Sequence, residues 1–268
     1  VNYRHAYHAG NAADCLKHAL LVWLLQALAR KPAGFTVLDT HAGIGGYDLS
    51  GPEAETTGEW RAGIGRLRAD PPAVLRDYVS LAEDPARYPG SPLIARSLLR
   101  PQDRLLCCER HPEDAALLRR CFAGDAQVAV HCRDGYEALA ALLPPATKRG
   151  LVLIDPPYEQ PDEYARLQTG IATARARFGT AVVAAWFPVK HLAPVHALRH
   201  GLGDLRDVVV ASLWQRPPLD PTRLNGSGLI VVNPPYGFEA AAAEIIAALQ
   251  GRLAEDGGGG SVERWSDE

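Results

Sequence analysis

The sequence predicts an α/β fold, a doubly wound and mostly parallel seven-stranded sheet with helices on both faces and a small helical insertion. Three observations carry this. Short, fully apolar runs alternate with amphipathic helical patterns, as expected for parallel strands buried on both faces. The chemistry-bearing residues follow those runs, where open α/β sheets bind ligands. Only the last two runs are joined closely enough to form a hairpin, which makes the final strand antiparallel. With 268 residues, 47% hydrophobic and 22% charged, the chain can bury a large core and is not a disordered polymer.

Asn11 is placed to cap a helix over residues 12–29, with Leu16, Leu20, Trp23, Leu24 and Leu28 at helical spacing. The same stretch imitates an export signal. Its flank contains Asp14 and a single lysine, which favours an internal helix. Residues 35–39 read as the first strand, ended by the glycine-rich turn Ala42-Gly43-Ile44-Gly45-Gly46. Further strands are expected at 105–108, 128–131, 151–154, 181–186, 208–214 and 229–232. Helical patterns at 113–122, 135–143, 163–177, 192–200 and 238–253 accompany them. Residues 47–104 are too long for a simple crossover. Patterns at 58–68, 73–83 and 92–99 make them a helical insertion over the ligand edge of one domain, residues 1–256. The Gly257–Gly260 run and the rest of 257–268 read as a flexible tail.

A net charge of −3 excludes a uniformly basic nucleic-acid coat but allows a local basic face. Five cysteines without a C-x-x-C pair point to free thiols in a reducing, cytoplasmic setting, with no metal. The absence of methionine, position 1 included, reads as loss of the initiator.

The strand ends form a coherent set. After the first come Asp39-Thr40-His41-Ala42-Gly43, where glycine lets backbone approach a ligand. The spacing is not G-x-G-x-x-G, which argues against a dinucleotide dehydrogenase. Glu109 ends the second strand, where an acid can take ribose hydroxyls. Asp134, before Gly135, follows the third and can accept an exocyclic amine. Both acids also suit helix capping. The fourth strand ends in Asp155-Pro156-Pro157-Tyr158. Two prolines hold the backbone rigid and leave carbonyls unpaired. Asp155 and the Pro156 carbonyl can therefore grip the two hydrogens of a planar amino group, with Tyr158 offering a stacking face. A second copy, Asn233-Pro234-Pro235-Tyr236, follows the last strand. In the expected strand order 3-2-1-4-5-7-6 it lies farther from the first strand, so the chemistry is assigned to Asp155.

That strand order is the one used by Rossmann-like class I S-adenosylmethionine-dependent methyltransferases, and D/N-P-P-Y resembles the motif of their amino-group members. More closely, the chain resembles the RlmJ family of bacterial 23S ribosomal RNA adenine-N6 methyltransferases. The resemblance runs through residues 3–11 with Asp14, Lys17 and His18, then 38–43, 88–92, 109–112, 134–135, 149–158, 186–189 and 227–236. It implies Asp155 as the catalytic residue and S-adenosylmethionine as cofactor. Lys17, His18, His41, Ser91, Glu109, Asp134, Gly135 and Asp155 would be the cofactor positions. It also implies a 23S ribosomal RNA substrate with Tyr3 on its side, where the clamp chemistry already places Pro156 and Tyr158; a monomer is expected, and no apolar run is long enough to span a membrane. Arg4, His5 and His8, together with Arg61, Arg66, Arg68, Arg96, Arg100 and Lys190, are the cations expected to meet phosphates. A DNA adenine methyltransferase, a protein glutamine methyltransferase and a silent RNA-binding module are the rival readings.

Overall fold

A computed structural model describes residues 4–267. After a short 3-10 turn at His5–Tyr7, helix α1 (Ala12–Ala29) begins where the Asn11 side chain accepts from the Asp14 amide at 3.0 Å. Strand β1 (Thr36–Asp39) follows, and the insertion then contains β2 (Gly46–Asp48), α2 (Pro52–Thr57), α3 (Glu59–Ala62), α4 (Ile64–Ala69), α5 (Arg76–Leu81), β3 (Arg87–Pro89) and α6 (Ser91–Ser97). The helix expected over 58–68 is broken at Gly63, where a Cβ would lie 2.1 Å from the Gly10 carbonyl oxygen. The turn cluster around Tyr88 instead pairs as β3 with β2, Tyr47 opposite Tyr88, an antiparallel ribbon the sequence pattern does not announce.

Beyond the insertion the chain alternates through β4 (Arg104–Glu109), α7 (Pro112–Cys121), β5 (Val128–Cys132), α8 (Gly135–Leu142), β6 (Gly150–Ile154), α9 (Glu163–Arg177), β7 (Val182–Val189) and α10 (Leu192–Gly201). It closes with β8 (Val208–Trp214), β9 (Gly226–Val232), α11 (Phe238–Leu253) and β10 (Gly259–Ser266). The sheet order is β5-β4-β1-β6-β7-β9-β8-β10. The first five strands are parallel, and β9 runs antiparallel to both β7 and β8. Apart from the added edge, this is the expected order.

Two expectations need correction. The sheet has eight strands, and residues 259–266 are not a flexible tail but its edge, antiparallel to β8. The glycines that suggest a linker serve close packing: a Cβ on Gly260 would lie 2.4 Å from Ile246 Cγ2 on α11. Past them, Val262 and Trp265 pack on opposite sides of the sheet, against the clusters on its two faces.

Those clusters follow the period of two that strands impose. Val37, Leu151, Leu153 and Val209 face α1 and α11, whereas Leu38, Val152, Ile154 and Val210 face α8, α9 and α10. Helix α1 is long and apolar enough to cross a membrane, but 78% of it is buried within the fold. It packs on α11, β9 and α6. All five cysteines are free.

Candidate active site

A cavity of about 830 Å³ opens along the carboxyl ends of β1, β4, β5 and β6 and is walled on one side by α1. Lys17, His18, His41, Ser91, Glu109, Asp134, Gly135, Asp155, Pro156 and Tyr158 all line it. Parallel strands ending at one edge bring these residues together from across the chain. Tyr3 lies outside the described residues.

Along one wall, Glu109 accepts from the Gly43 amide at 3.0 Å and the His111 amide at 2.8 Å, one on each oxygen. These bonds fix the carboxylate at the mouth of the glycine turn, and each oxygen keeps a second acceptor position. Burial raises its pKa. Asp134 does cap α8, accepting from the Tyr136 and Glu137 amides at 2.9 and 3.3 Å, and it also faces the cavity. Arg166, stacked on the Tyr136 ring, lies 3.5 Å from its other oxygen. Capping and ligand facing are therefore one arrangement. Gly135 admits no side chain, because a Cβ would lie 2.2 Å from the Thr40 carbonyl oxygen.

Opposite stands a buried charge chain. His5 Nε2 and Asp14 Oδ2 are 2.9 Å apart, Asp14 Oδ1 and Lys17 Nζ 2.9 Å, and Lys17 Nζ and Asp155 Oδ2 2.5 Å. Burial opposes charge on Lys17, but the two carboxylates raise its pKa and keep it an ammonium. For Asp14 burial likewise works against ionisation, yet His5 and Lys17 hold its carboxyl well below the usual range. Helix α1 thus delivers a permanent cation to the first residue of the D-P-P-Y turn. Residue types and order do not reveal that Asp14 links His5 to Lys17; the i, i+3 spacing of Asn11, Asp14 and Lys17 is a local trace of it.

Tyr158 has φ +54°, a left-handed conformation uncommon for a bulky side chain. Its hydroxyl donates to the Trp186 carbonyl at 3.2 Å, and its ring meets Tyr164 and Trp186 edge-on at centroid distances of 5.0 and 5.7 Å. Trp186, marked in the sequence by its place at the end of a strand and by the resemblance at 186–189, completes this aromatic wall, and its indole nitrogen is buried without a partner. His18 is 1% exposed; its Nδ1 is 2.7 Å from the Tyr88 hydroxyl, and its Nε2 has no partner. Burial lowers its pKa to about 3, so the ring is neutral.

The second proline motif is elsewhere. Asn233 donates to the Ala181 carbonyl at 3.1 Å, tying down a turn, and Tyr236 is 99% exposed. The insertion's arginines expected to meet phosphates all have partners within the protein. Arg61 pairs with Glu55 over the Trp60 ring, and Arg96 pairs with Asp125. Arg68 donates to the carbonyls of Ala82, Pro85 and Arg87, Arg66 to that of Arg252. Arg100 binds Asp103 and the carbonyls at the end of α1. Guanidinium forks serve here to close helix and strand ends, and none of the five lines the cavity. Lys190 does, beside Thr222 and Leu224 of the β8–β9 loop. That loop is pinned by Asn225, which donates to the Lys190 and Asp220 carbonyls at 2.6 and 2.7 Å.

Residues 32–266 match the family described as "Ribosomal RNA large subunit methyltransferase D, RlmJ". The chain is 41% identical to the ribosomal RNA large subunit methyltransferase J of Haemophilus influenzae and 40% identical to that of Escherichia coli K12. Each alignment covers 99% of this chain and 98% of the relative. Among solved structures, protein LPL1258 of Legionella pneumophila superposes with a TM-score of 0.88 at 33% identity, covering 96% of this chain and 98% of that one. A probable spermidine synthase of Corynebacterium glutamicum, at 13% identity and a TM-score of 0.53 over 93% and 75% of the two chains, shares the fold alone.

Proposed function

Because the chain belongs to the RlmJ family of ribosomal RNA large subunit methyltransferases, we propose that it transfers a methyl group from S-adenosylmethionine to the N6 amino group of an adenine in 23S ribosomal RNA. The observation that carries the reading is Asp155, an acid on a rigid double-proline turn, fixed by Lys17 at the edge of a cavity lined with acceptors suited to a nucleoside.

The cavity residues fit such a cofactor. Glu109, held by two amides, suits a ribose diol, and Asp134 with Gly135 suits a purine edge. The unpartnered His18 Nε2, together with Lys17 and Ser91, offers polar contacts for the amino-acid end. When bound, S-adenosylmethionine supplies a methyl group on a positively charged sulfur. The volume is within the roughly 300–1,000 Å³ of small-molecule sites.

The target adenine must leave its stack to reach Asp155, as bases do for other enzymes acting on them. Lys17 occupies Asp155 Oδ2 and leaves Oδ1 to accept one N6 hydrogen, while the Pro156 carbonyl takes the other. The nitrogen lone pair is then turned out of the clamp. As N6 gains its fourth bond and the methyl's bond to sulfur breaks, Asp155 stabilises the positive charge that develops on N6 and receives the surplus proton. Orientation and fixed charge supply the acceleration. Tyr158, with Trp186 and Tyr164 behind it, gives the base an aromatic surface and excludes water.

The test offers one preparation unmodified 23S RNA, duplex DNA and release-factor protein with the labelled methyl donor, followed by digestion. N6-methyladenosine from the RNA is the expected product. Label found only in DNA or on glutamine overturns the assignment. At the cavity mouth, Lys190→Glu is expected to raise KM for RNA several-fold, with little change in S-adenosylhomocysteine binding. The wild-type RNA affinity should fall as salt rises, measured by filter binding from about 50 to 200 mM salt.

A further inference from the structure

Thr40 has one hydroxyl hydrogen and two short contacts for it. Its Oγ1 is 2.9 Å from the Leu153 carbonyl oxygen and 2.8 Å from His41 Nδ1. A carbonyl oxygen can only accept, so the hydroxyl hydrogen belongs to that bond. The contact with His41 must then run the other way, with Nδ1–H donating to Thr40 Oγ1. Thr40 is 1% exposed, and its amide donates to the same carbonyl at 3.0 Å, so the arrangement is locked into the β1–β6 seam. The imidazole is held further by an edge-to-face contact with Tyr136 at 5.4 Å and by Gly135, where a Cβ would come within 3.0 Å of Nε2. Burial lowers the His41 pKa to about 4, against the pull of Asp155 and Asp134 in the other direction. The ring is neutral at neutral pH, so protonating Nδ1 leaves Nε2 bare.

We infer that Thr40 is a positioning residue that fixes His41 as its Nδ1–H tautomer, so that His41 Nε2 meets the bound ligand as a hydrogen-bond acceptor. The group it takes is therefore an N–H or O–H donor, such as an amino group, and a carboxylate or carbonyl placed there is refused. This deepens the methyl-transfer reading and rests on it only for the identity of the ligand. A solvated histidine side chain prefers the opposite tautomer, Nε2–H, which gives the assignment a signature independent of turnover.

The experiment uses full-length protein labelled with ¹⁵N in its histidine rings, with the His41 signals assigned from their loss in His41→Gln. Wild type and Thr40→Ser should show a protonated Nδ1 and a bare Nε2. Thr40→Val, close in shape but unable to accept, should move the ring toward Nε2–H. By calorimetry with S-adenosylhomocysteine, Thr40→Ser should bind within about twofold of wild type and Thr40→Val about fivefold or more weakly, the worth of one typical hydrogen bond. A protonated Nε2 in wild type overturns the inference, as does Thr40→Val with an unchanged spectrum or unchanged affinity. If Thr40→Val does not fold, the wild-type spectrum still decides the tautomer. Wild type that shows the Nδ1–H signature but binds no S-adenosylhomocysteine would sink the methyl-donor reading and leave the tautomer assignment standing.

Discussion

Replacing Asp155 by alanine is expected to lower kcat for adenine methylation by about a hundredfold or more, the scale seen when a fixed electrostatic group is removed from a reacting centre. Asp155→Asn should be nearly as damaging. An asparagine has a single oxygen to divide between Lys17 and the amino hydrogen, and it carries no charge to offset the one developing on N6. Single-turnover measurements with saturating RNA separate this from weakened binding, and undiminished turnover in either variant would exclude Asp155 from the chemistry. Stability must be measured alongside, because the substitution leaves Lys17, 4% exposed, with Asp14 as its remaining ion-pair partner. Removing one member of a buried pair commonly costs about 3–5 kcal/mol. Since Asp155 keeps partial contact with the cavity, a smaller loss is expected here. The asparagine variant can still accept from Lys17 and is the better probe of chemistry.

Truncation after Glu255 is expected to lower stability by on the order of 3 kcal/mol and to cause aggregation, where loss of a solvated tail would change neither. The deletion removes a strand laddered to β8 from Trp214 to Val208 and strips the Val262 and Trp265 packing from the two faces. It also removes Arg264, which bridges Asp207 at 2.9 Å and Glu239 at 2.8 Å. What remains is an open edge on β8, a template for pairing with other chains. Thermal unfolding with light scattering checks both effects. An unchanged Tm and clear solutions would mean that β10 adds nothing.

The inner sheet was legible because burial on both faces forces near-continuous apolar runs, and the site was legible because its residues follow those runs. Residues 257–266 were not: their four glycines look like a linker unless the neighbouring Ile246 and Trp214 are seen to need the space. The β2–β3 ribbon hid inside a proline-glycine cluster because three-residue strands carry no periodicity. The partners of the arginines were hidden for a different reason. Composition gives their charge but not their geometry, and the carbonyls that Arg68 and Arg100 gather come from distant parts of the chain. The Lys17–Asp155 pair joins residues 138 apart in sequence, beyond any local pattern.

The position of α1 also has a consequence for synthesis. This apolar helix leaves the ribosome well before two of the surfaces that cover it, β9 and α11. At roughly 5–20 residues per second it waits tens of seconds for them. Throughout that interval the nascent chain displays a greasy segment that chaperones or the export machinery can seize. Lys17 and Asp14, which complete the site once α1 is docked, are also the charges that interrupt that segment while it is still bare.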